Sequence, residues 1–131
     1  MIGIDTNVLV RYIVQDDPKQ SRQAAELMEQ RCSSDYPAFI SSMVICEMVW
    51  VLESAYGYQR EDIVKVIEQV LKTREFQIQE PEILWQSLWG YKHKGADFAD
   101  HYIASINTHH GCEHTLTFDK KAAKVKHFKL L

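Results

Sequence analysis

Short apolar runs alternate with longer amphipathic segments along the chain. Four runs have the length of short strands, at 1–4, 38–40, 76–78 and 115–118. Between them, apolar residues recur at helical spacing, as at Val8, Leu9, Tyr12 and Ile13. Alternation of this kind is typical of α/β proteins, in which helices cover both faces of a central, mainly parallel sheet. The pattern therefore predicts an α/β fold.

Capping residues, prolines and glycines set the ends of the predicted helices. These helices follow Asp5, Asp16-Asp17-Pro18, Ser41 or Ser42, Gly57, Pro81, Gly95-Ala96 and Asp119. The helix at about 43–56 is apolar almost all round, so we expect it to be the central buried helix. The last helix, after Asp119, is predicted to be rich in lysine.

Length and composition favour one globular domain spanning 1–131. The chain has 131 residues, of which 46% are hydrophobic and 25% are charged. No stretch approaches the roughly 18 apolar residues that a membrane span requires, and Asp5 lies where a secretory signal would be apolar. Three widely spaced cysteines, with no Cys-x-x-Cys pair, are interpreted as reduced structural thiols. We expect a soluble, cytoplasmic protein.

The formal net charge of −3 argues against a protein that holds nucleic acid by bulk electrostatics alone. It does not exclude an RNA enzyme, because acids gathered in one cation-binding cleft leave positive charge free elsewhere. The stretch after Asp119 contains five lysines and no acid. This asymmetry indicates a phosphate-facing edge near the end of the chain.

Two acids follow predicted strands directly. Asp5 ends the first apolar run and Asp119 ends the last, and each begins a helical turn. Binding sites in open parallel sheets form at the carboxyl ends of the strands, so this topology brings both acids to one edge. The alternative for each is a simple helix N-cap.

Glu47 lies on the apolar helix, and its helical neighbours Met43, Trp50 and Val51 are all large and apolar. A carboxylate in that position should be at least partly buried. Burial without a partner raises a carboxylate's pKa or calls for a cation. The alternatives are a helix edge that reaches solvent and a salt bridge to a basic residue.

Asp97 and Asp100 are three residues apart and so share one side of their helix. Asp97 follows Gly95-Ala96, where a cap is needed, and capping is the favoured interpretation. Asp100 lies past the cap and has no such local role, although a first-turn acid can also favour the helix dipole. The same helix should turn Phe98, Tyr102, Ile103 and Ile106 to the core.

Four acids at one edge need a compensating cation, because like charges raise each other's pKa values. Oxygen-only ligands select Mg²⁺, with Mn²⁺ as a close substitute. Such an ion lowers the pKa of a bound water and stabilises the oxygens of a phosphodiester undergoing displacement. The sequence does not choose between one ion and two.

Four segments together resemble the PIN-domain nucleases, and within them the VapC-type toxins. They are Ile4-Asp5-Thr6-Asn7-Val8-Leu9, Ser42-Met43-Val44-Ile45-Cys46-Glu47, the segment from Ala96 to Ala104, and Leu116-Thr117-Phe118-Asp119. They occur in the expected order and the resemblance fills essentially the whole chain. It implies a three-layer α/β/α sandwich, a homodimer, Mg²⁺- or Mn²⁺-dependent cleavage of RNA, and silencing by a cognate antitoxin protein.

The resemblance also implies roles for particular residues. The family's four acids fall on Asp5, Glu47, Asp100 and Asp119, which would hold the metal and complete the catalytic cluster. Asp97 matches an acid that is frequent in this subgroup and is an additional possible ligand.

Other positions would support those acids. Thr6 and Asn7 match positions that brace the first acid, and Thr117 matches a hydroxyl near the fourth. His101 is less typical, since a small apolar residue is common after the third acid. Phosphate contacts are expected from Arg11, Lys120 and Lys121, although a solvated face explains the lysines equally well.

Three other functions remain open at this point. A receiver-like phosphoacceptor domain also places acids around Mg²⁺, but it gives no reason for a carboxylate on the apolar Glu47 helix. A non-catalytic PIN-like module could capture RNA or a protein without cutting, although the intact set of acids argues against it. An acid cluster could also hydrolyse small phosphoesters, and only the resemblance favours RNA.

Overall fold

The computed structural model describes all 131 residues, which divide into two compact units. The first unit is Met1–Gln79 and the second is Glu80–Leu131. No helix in the chain is long and apolar enough to span a bilayer. The single domain expected for 1–131 stays a prediction.

The first unit contains a three-stranded parallel sheet and four α-helices. Its elements are β1 (Ile2–Gly3), α1 (Thr6–Val14), α2 (Pro18–Glu26), a π-helical turn (Leu27–Arg31), β2 (Ala38–Ile40), α3 (Ser42–Ser54), α4 (Arg60–Lys72) and β3 (Phe76–Ile78). The strand order is β1-β2-β3, with Ile2 beside Ala38 and Ala38 beside Phe76. The central strand is the most buried, since Ala38 and Ile40 are fully inaccessible.

Local hydrogen bonds explain where two of these helices begin. Asp17 caps α2, and its Oδ1 accepts from the Gln20 amide at 2.8 Å. Pro18 fits the first turn because the N–H that proline lacks would have no acceptor within the helix there. Ser41 caps α3, its hydroxyl accepting from the Val44 amide at 3.2 Å. Both helices begin where the capping pattern predicts.

One face of α3 forms much of the core of the first unit. Ile45, Met48 and Leu52 have no solvent exposure. Burying each such side chain stabilises the fold by about 1.5–3 kcal/mol. The expectation of a central buried helix holds for this face only, because Met43 and Trp50 are each 68% exposed.

The second unit pairs two helices and two short parallel strands. Its elements are α5 (Pro81–Lys94), α6 (Phe98–His109), β4 (Thr115–Thr117), a 3₁₀ turn (Ala122–Lys124) and β5 (Phe128–Leu130). Tyr91 of α5 and Phe98 of α6 are buried and pack edge to face, with their ring centroids 5.8 Å apart. β4 pairs with β5 in a separate two-stranded sheet, with Thr115 beside Phe128.

His101 is a core residue of the second unit. It is 4% exposed, its Nε2 hydrogen-bonds the Gly95 carbonyl, and its ring lies against Gly90 of α5 so closely that a Cβ there would overlap it. The buried face of α6 is Phe98, His101 and Ala104. The prediction that Ile103 faces the core is therefore wrong, since 42% of it is exposed.

The chain after Asp119 forms a 3₁₀ turn and a strand, which corrects the prediction of a lysine-rich helix. His127 has a left-handed backbone, with φ of 74°, which a continuing helix does not allow. Its carbonyl instead accepts from the Thr115 amide at 2.7 Å, and β5 then pairs with β4. The lysine-rich segment therefore pairs with β4 as a strand, although its residues have helical spacing.

Candidate active site

Asp5 lies between β1 and α1, as the abrupt end of the apolar run predicts. It is the N-cap residue of α1, and its Oδ1 accepts from the Thr6 amide at 2.7 Å. The carboxylate is exposed to solvent. Capping and ligand binding were alternatives for this residue, and the geometry shows that capping occupies only one of its two oxygens.

Glu47 is exposed, which corrects the expectation of a partly buried carboxylate. The reason lies in its neighbours, because Met43 and Trp50 on the same side of α3 are exposed as well and cannot shield it. Solvent exposure leaves the carboxylate open to a cation or to substrate.

Thr6 connects these two acids. Its hydroxyl donates to Glu47 Oε1 at 3.1 Å, and its amide donates to Asp5. Thr6 is only 9% exposed, so packing fixes the hydroxyl in position. The predicted bracing role of Thr6 thus has a definite geometry.

The two carboxylates line one cavity of about 300 Å³ in the first unit. Asn7, Arg11 and Tyr56 are among the residues that line it with them. Asn7 contributes to the wall of the cavity but makes no side-chain hydrogen bond to Asp5. The cavity therefore combines two acids, an amide, a guanidinium and a phenol.

Arg11 is held in this cavity by three polar partners. It donates from Nη1 to Asp16 Oδ1 and to the Tyr56 hydroxyl, both at 3.0 Å, and from Nε to Gln20 Oε1 at 2.8 Å. Tyr56 completes the network by donating to Asp16 Oδ2 at 2.9 Å. The guanidinium is therefore oriented before any ligand arrives.

The same network shifts two pKa values in opposite directions. The hydrogen bond from Tyr56, followed by the one from Arg11, lowers the pKa of Asp16. The hydrogen bond to Asp16 raises the pKa of Tyr56. Asp16 is thus held as the carboxylate and Tyr56 as the neutral phenol, and Arg11 keeps its charge.

Asp97 and Asp100 form a capping box at the start of α6. The Asp97 amide donates to Asp100 Oδ2 at 3.3 Å, and the Asp100 amide donates to the Asp97 carbonyl at 3.0 Å. The favoured capping role of Asp97 is confirmed. The interpretation that Asp100 has no local role is wrong, because it is the N3 residue of this capping box.

The pKa of Asp100 lies above the ordinary value. Burial is the main cause, and the charges of Asp97 and Asp119 add to it. Asp119 is therefore close enough to act on Asp100 electrostatically. Such mutual repulsion is what a cation among these acids would relieve.

Asp119 is held by backbone amides after β4. Its Oδ1 accepts from the Lys121 amide at 2.8 Å and from the Ala122 amide at 3.4 Å. Its own amide donates to the Thr117 hydroxyl at 3.0 Å, which gives the predicted role of Thr117 a physical form. Asp119 thus binds amides of the turn that follows it, but the N-cap residue of the 3₁₀ turn is Lys121.

The lysines predicted to contact phosphate differ in their surroundings. Lys121 Nζ lies 3.8 Å from Asp97 Oδ1, in an exposed ion pair. Lys120 is exposed and has no acid partner in the structure. Lys121 therefore offsets the acids of the second unit, and a phosphate contact by either lysine stays a prediction.

The structure brings the predicted acids together in two groups. Asp5 and Glu47 share a cavity in the first unit, and Asp97, Asp100 and Asp119 interact in the second. No set of three or more Asp, Glu, His or Cys side chains is arranged to hold a metal ion. Convergence of both groups on one ion stays a prediction.

The chemistry of the first group fits a hard divalent cation. The cavity offers carboxylate oxygens and contains no His or Cys. Asp5 Oδ2 and Glu47 Oε2 accept no hydrogen bond from the protein, so both remain available as ligands. Mg²⁺ is commonly bound by only one or two carboxylates while it keeps several waters.

Sequence reasoning missed Asp16, Gln20 and Tyr56 as parts of this site. Asp16 lies just past the end of α1, five residues after Arg11, and that spacing could have indicated a pair. Tyr56 is 45 residues from Arg11, so only the fold could show that they meet.

Two comparisons with known proteins bear on these groups. Residues 2–127 match the PIN domain. The chain is also similar to a VapC ribonuclease of Aquifex aeolicus (strain VF5), at 23% identity over 122 residues, which cover 93% of this chain and 90% of that protein. The resemblance predicted from the four sequence segments is confirmed, and with it the predicted fold class.

Proposed function

Because the chain belongs to the PIN-domain family, we propose that it is an Mg²⁺- or Mn²⁺-dependent endoribonuclease, the toxin of a toxin-antitoxin pair. The observation that carries this proposal is the cavity in which Thr6 joins the carboxylates of Asp5 and Glu47 beside Arg11. The similarity to a VapC ribonuclease supports RNA as the substrate.

The metal would be held by Asp5, Glu47, Asp100 and Asp119, with Asp97 as an additional ligand. When bound, it would supply a water of lowered pKa and neutralise charge on the phosphodiester. Thr6 keeps Glu47 in one orientation through its hydroxyl. Asp119, held by two amides, would complete the cluster or orient the attacking water.

Arg11 would bind a phosphate of the RNA beside the carboxylates. Asp16 and Tyr56 fix its guanidinium, so little rotational freedom remains to be lost on binding. A guanidinium matches two phosphate oxygens at once, which a flexible ammonium does not. Asp16 and Tyr56 are positioning residues in this scheme, since they act through Arg11.

Further features of the toxin belong to the same proposal. Since one family match spans both compact units, we propose that they work as a single nuclease domain in the cytoplasm. The exposed apolar side chains of Met43 and Trp50 beside Glu47 provide a surface for protein contact. A homodimer and a cognate antitoxin protein are the proposed partners.

The test is cleavage of a mixed RNA pool by the purified protein with Mg²⁺, with Mn²⁺ and with chelator. Asp5→Asn and Glu47→Gln should each lower the rate at least about 100-fold, because a metal ligand contributes several kcal/mol in the transition state. Asp35→Asn, an exposed acid in a loop, is the matched control and should retain full activity.

Cleavage that persists in chelator or in both acid variants would contradict the proposal. Metal-dependent binding of RNA without cutting would instead favour a non-catalytic module. The exposure of Glu47 removes the sequence argument against a receiver-like phosphoacceptor, and the match of residues 2–127 to the PIN domain is what disfavours that function.

A further inference from the structure

A second, larger cavity lies within the unit Glu80–Leu131. It has a volume of about 520 Å³ and is lined by residues of α5, of α6 and of the segment 124–127. None of the acids of the proposed active site lines it. Its chemistry therefore has to be explained separately.

The walls of this cavity carry positive charge from two parts of the unit. Lys94 is the last residue of α5, Lys124 is the last residue of the 3₁₀ turn, and Lys126 lies between that turn and β5. No Asp or Glu is among the lining residues, and none of these lysines forms an ion pair. In a chain with net charge −3, such a concentration of unpaired lysines selects an anion.

An exposed indole lies at the same cavity. Trp89 of α5 is 58% exposed, and its ring centroid is 4.6 Å from that of His93. Lys94 Nζ lies 5.9 Å from the centroid of the Trp89 ring. Because more than half of the Trp89 side chain is exposed, its ring is available for stacking.

Small and neutral residues complete the walls. Gly90 leaves room where any side chain would project toward His101, and Ser105 and Thr108 add hydroxyls from α6. Hydroxyls can bond to base edges and to a ribose 2′-OH, whereas the lysines suit phosphate. The lining thus combines groups for a phosphate, a sugar and a flat ring.

We propose that this cavity binds one nucleotide unit of single-stranded RNA, with its phosphate on Lys124, Lys126 and Lys94 and its base against Trp89. Stacking on an aromatic side chain next to cations is the common way in which single strands are held without sequence readout. The proposal takes RNA as the ligand from the proposed function and adds a substrate-binding subsite to it.

The test measures binding of a short fluorescein-labelled single-stranded RNA by anisotropy, in chelator and in the Asp5→Asn background. Under these conditions binding is recorded without cleavage. The double variant Lys124→Ala/Lys126→Ala should bind about 10-fold more weakly and lower the salt slope of log affinity by about 1 to 2. Trp89→Leu should weaken binding by at least about 5-fold.

Matched controls distinguish binding in this cavity from the nonspecific attraction of RNA to surface charge. Lys19→Ala/Lys65→Ala removes the same charge from exposed positions of the other unit, and Trp85→Leu removes an indole one turn away on α5. Both controls should change affinity less than 2-fold. The proposal would be overturned if the test and control variants lost RNA affinity equally while their unfolding temperatures matched.

Competition identifies the ligand chemistry. A mononucleotide should displace the RNA at a concentration at least about 10-fold below that of inorganic phosphate, because phosphate cannot stack on Trp89. Equal competition would reduce the cavity to a simple anion site and overturn the proposal. If binding follows the predictions while no condition gives cleavage, the subsite stands and the proposed nuclease activity fails.

Discussion

The units Met1–Gln79 and Glu80–Leu131 hold their acids in different ways. In the first, Asp5 accepts from the Thr6 amide, and Glu47, which lies on another helix, accepts from the Thr6 hydroxyl. In the second, Asp100 and Asp119 accept from backbone amides near their own turns. The position of an acid that accepts from a nearby backbone amide can be inferred from local sequence. The position of an acid such as Glu47, held by a distant side chain, depends on how the helices pack.

The two units also differ in charge. The first has twelve acids and eight basic residues, including every arginine, and the second has six acids, seven lysines and all six histidines. The net charge of −3 therefore combines an acidic part with a slightly basic one. The overall charge alone does not show this uneven distribution between the two units.

The largest expected effect tests whether the acids of the two units act together. Asp5→Asn and Asp100→Asn should each lower kcat/KM at least about 100-fold, and the double variant should lose little more than either single variant. Groups that serve one reaction center behave in this non-additive way. RNA cleavage rates of the four proteins measure the effect.

Stability measurements provide the control for that experiment. Asn caps a helix as well as Asp does, so Asp5→Asn should leave the free energy of unfolding nearly unchanged. If all variants are folded and the loss in the double variant equals the product of the two single losses, the two groups of acids act independently.

The next effect concerns the packing of α5 on α6. Gly90→Ala would usually stabilise a helix interior, but here the new methyl group overlaps the buried His101 ring. We expect a loss of about 1–3 kcal/mol in the free energy of unfolding, measured by urea denaturation. In a His101→Ala background the same substitution should become neutral or stabilising.

Gly3→Ala in the first unit is the matched control. A Cβ at Gly3 meets nothing within 4 Å, so the change should be within about 0.5 kcal/mol. An equal loss at both glycines would mean that the close approach of His101 does not decide the effect.

A smaller effect is expected at Thr6. Thr6→Val keeps the volume and removes the hydroxyl that orients Glu47, which should lower kcat/KM about 5- to 10-fold. Thr117→Val is the corresponding change in the second unit, where backbone amides still hold Asp119, and it should cost less than 3-fold. A larger loss of kcat/KM in Thr117→Val than in Thr6→Val would contradict the difference between the two units in how their acids are held.

The smallest effect is a pH dependence of opposite sign in the two units. The pKa of Asp16 is lowered, so its contribution to stability is present above its ordinary value of 3.8 and is lost as pH falls further. The pKa of Asp100 is raised, so ionisation of this group costs stability as pH rises through 3.8 and above.

Unfolding in chelator between pH 3 and pH 6 measures these trends. The stability difference between the unmodified protein and Asp16→Asn should grow with pH, and the difference from Asp100→Asn should shrink. Parallel trends would contradict the assignment of pairing to Asp16 and of burial to Asp100.

Local signals in the sequence predicted much of the fold and of the site. The apolar run that stops at Asp5 located both the first strand and its acid, and Asp17-Pro18 located the start of α2. The capping box was also readable, since Asp97 and Asp100 have its spacing, although only the cap itself was inferred.

The remaining features depend on tertiary structure. Helical spacing places Met43, Glu47 and Trp50 on one side of α3, but it does not tell whether another element covers that side. The last lysine-rich segment had helical spacing too, and pairing of β5 with β4 decided its structure. Periodicity shows which residues share a face and leaves open what packs against it.

The division of the acids along the chain has a consequence for its synthesis. A ribosome incorporates Asp5 long before it incorporates Asp119. Under the proposed function, an unfinished polypeptide lacks part of its cluster and cannot cut the transcript from which it is being translated. Toxicity would then begin only after the second unit has been completed and folded.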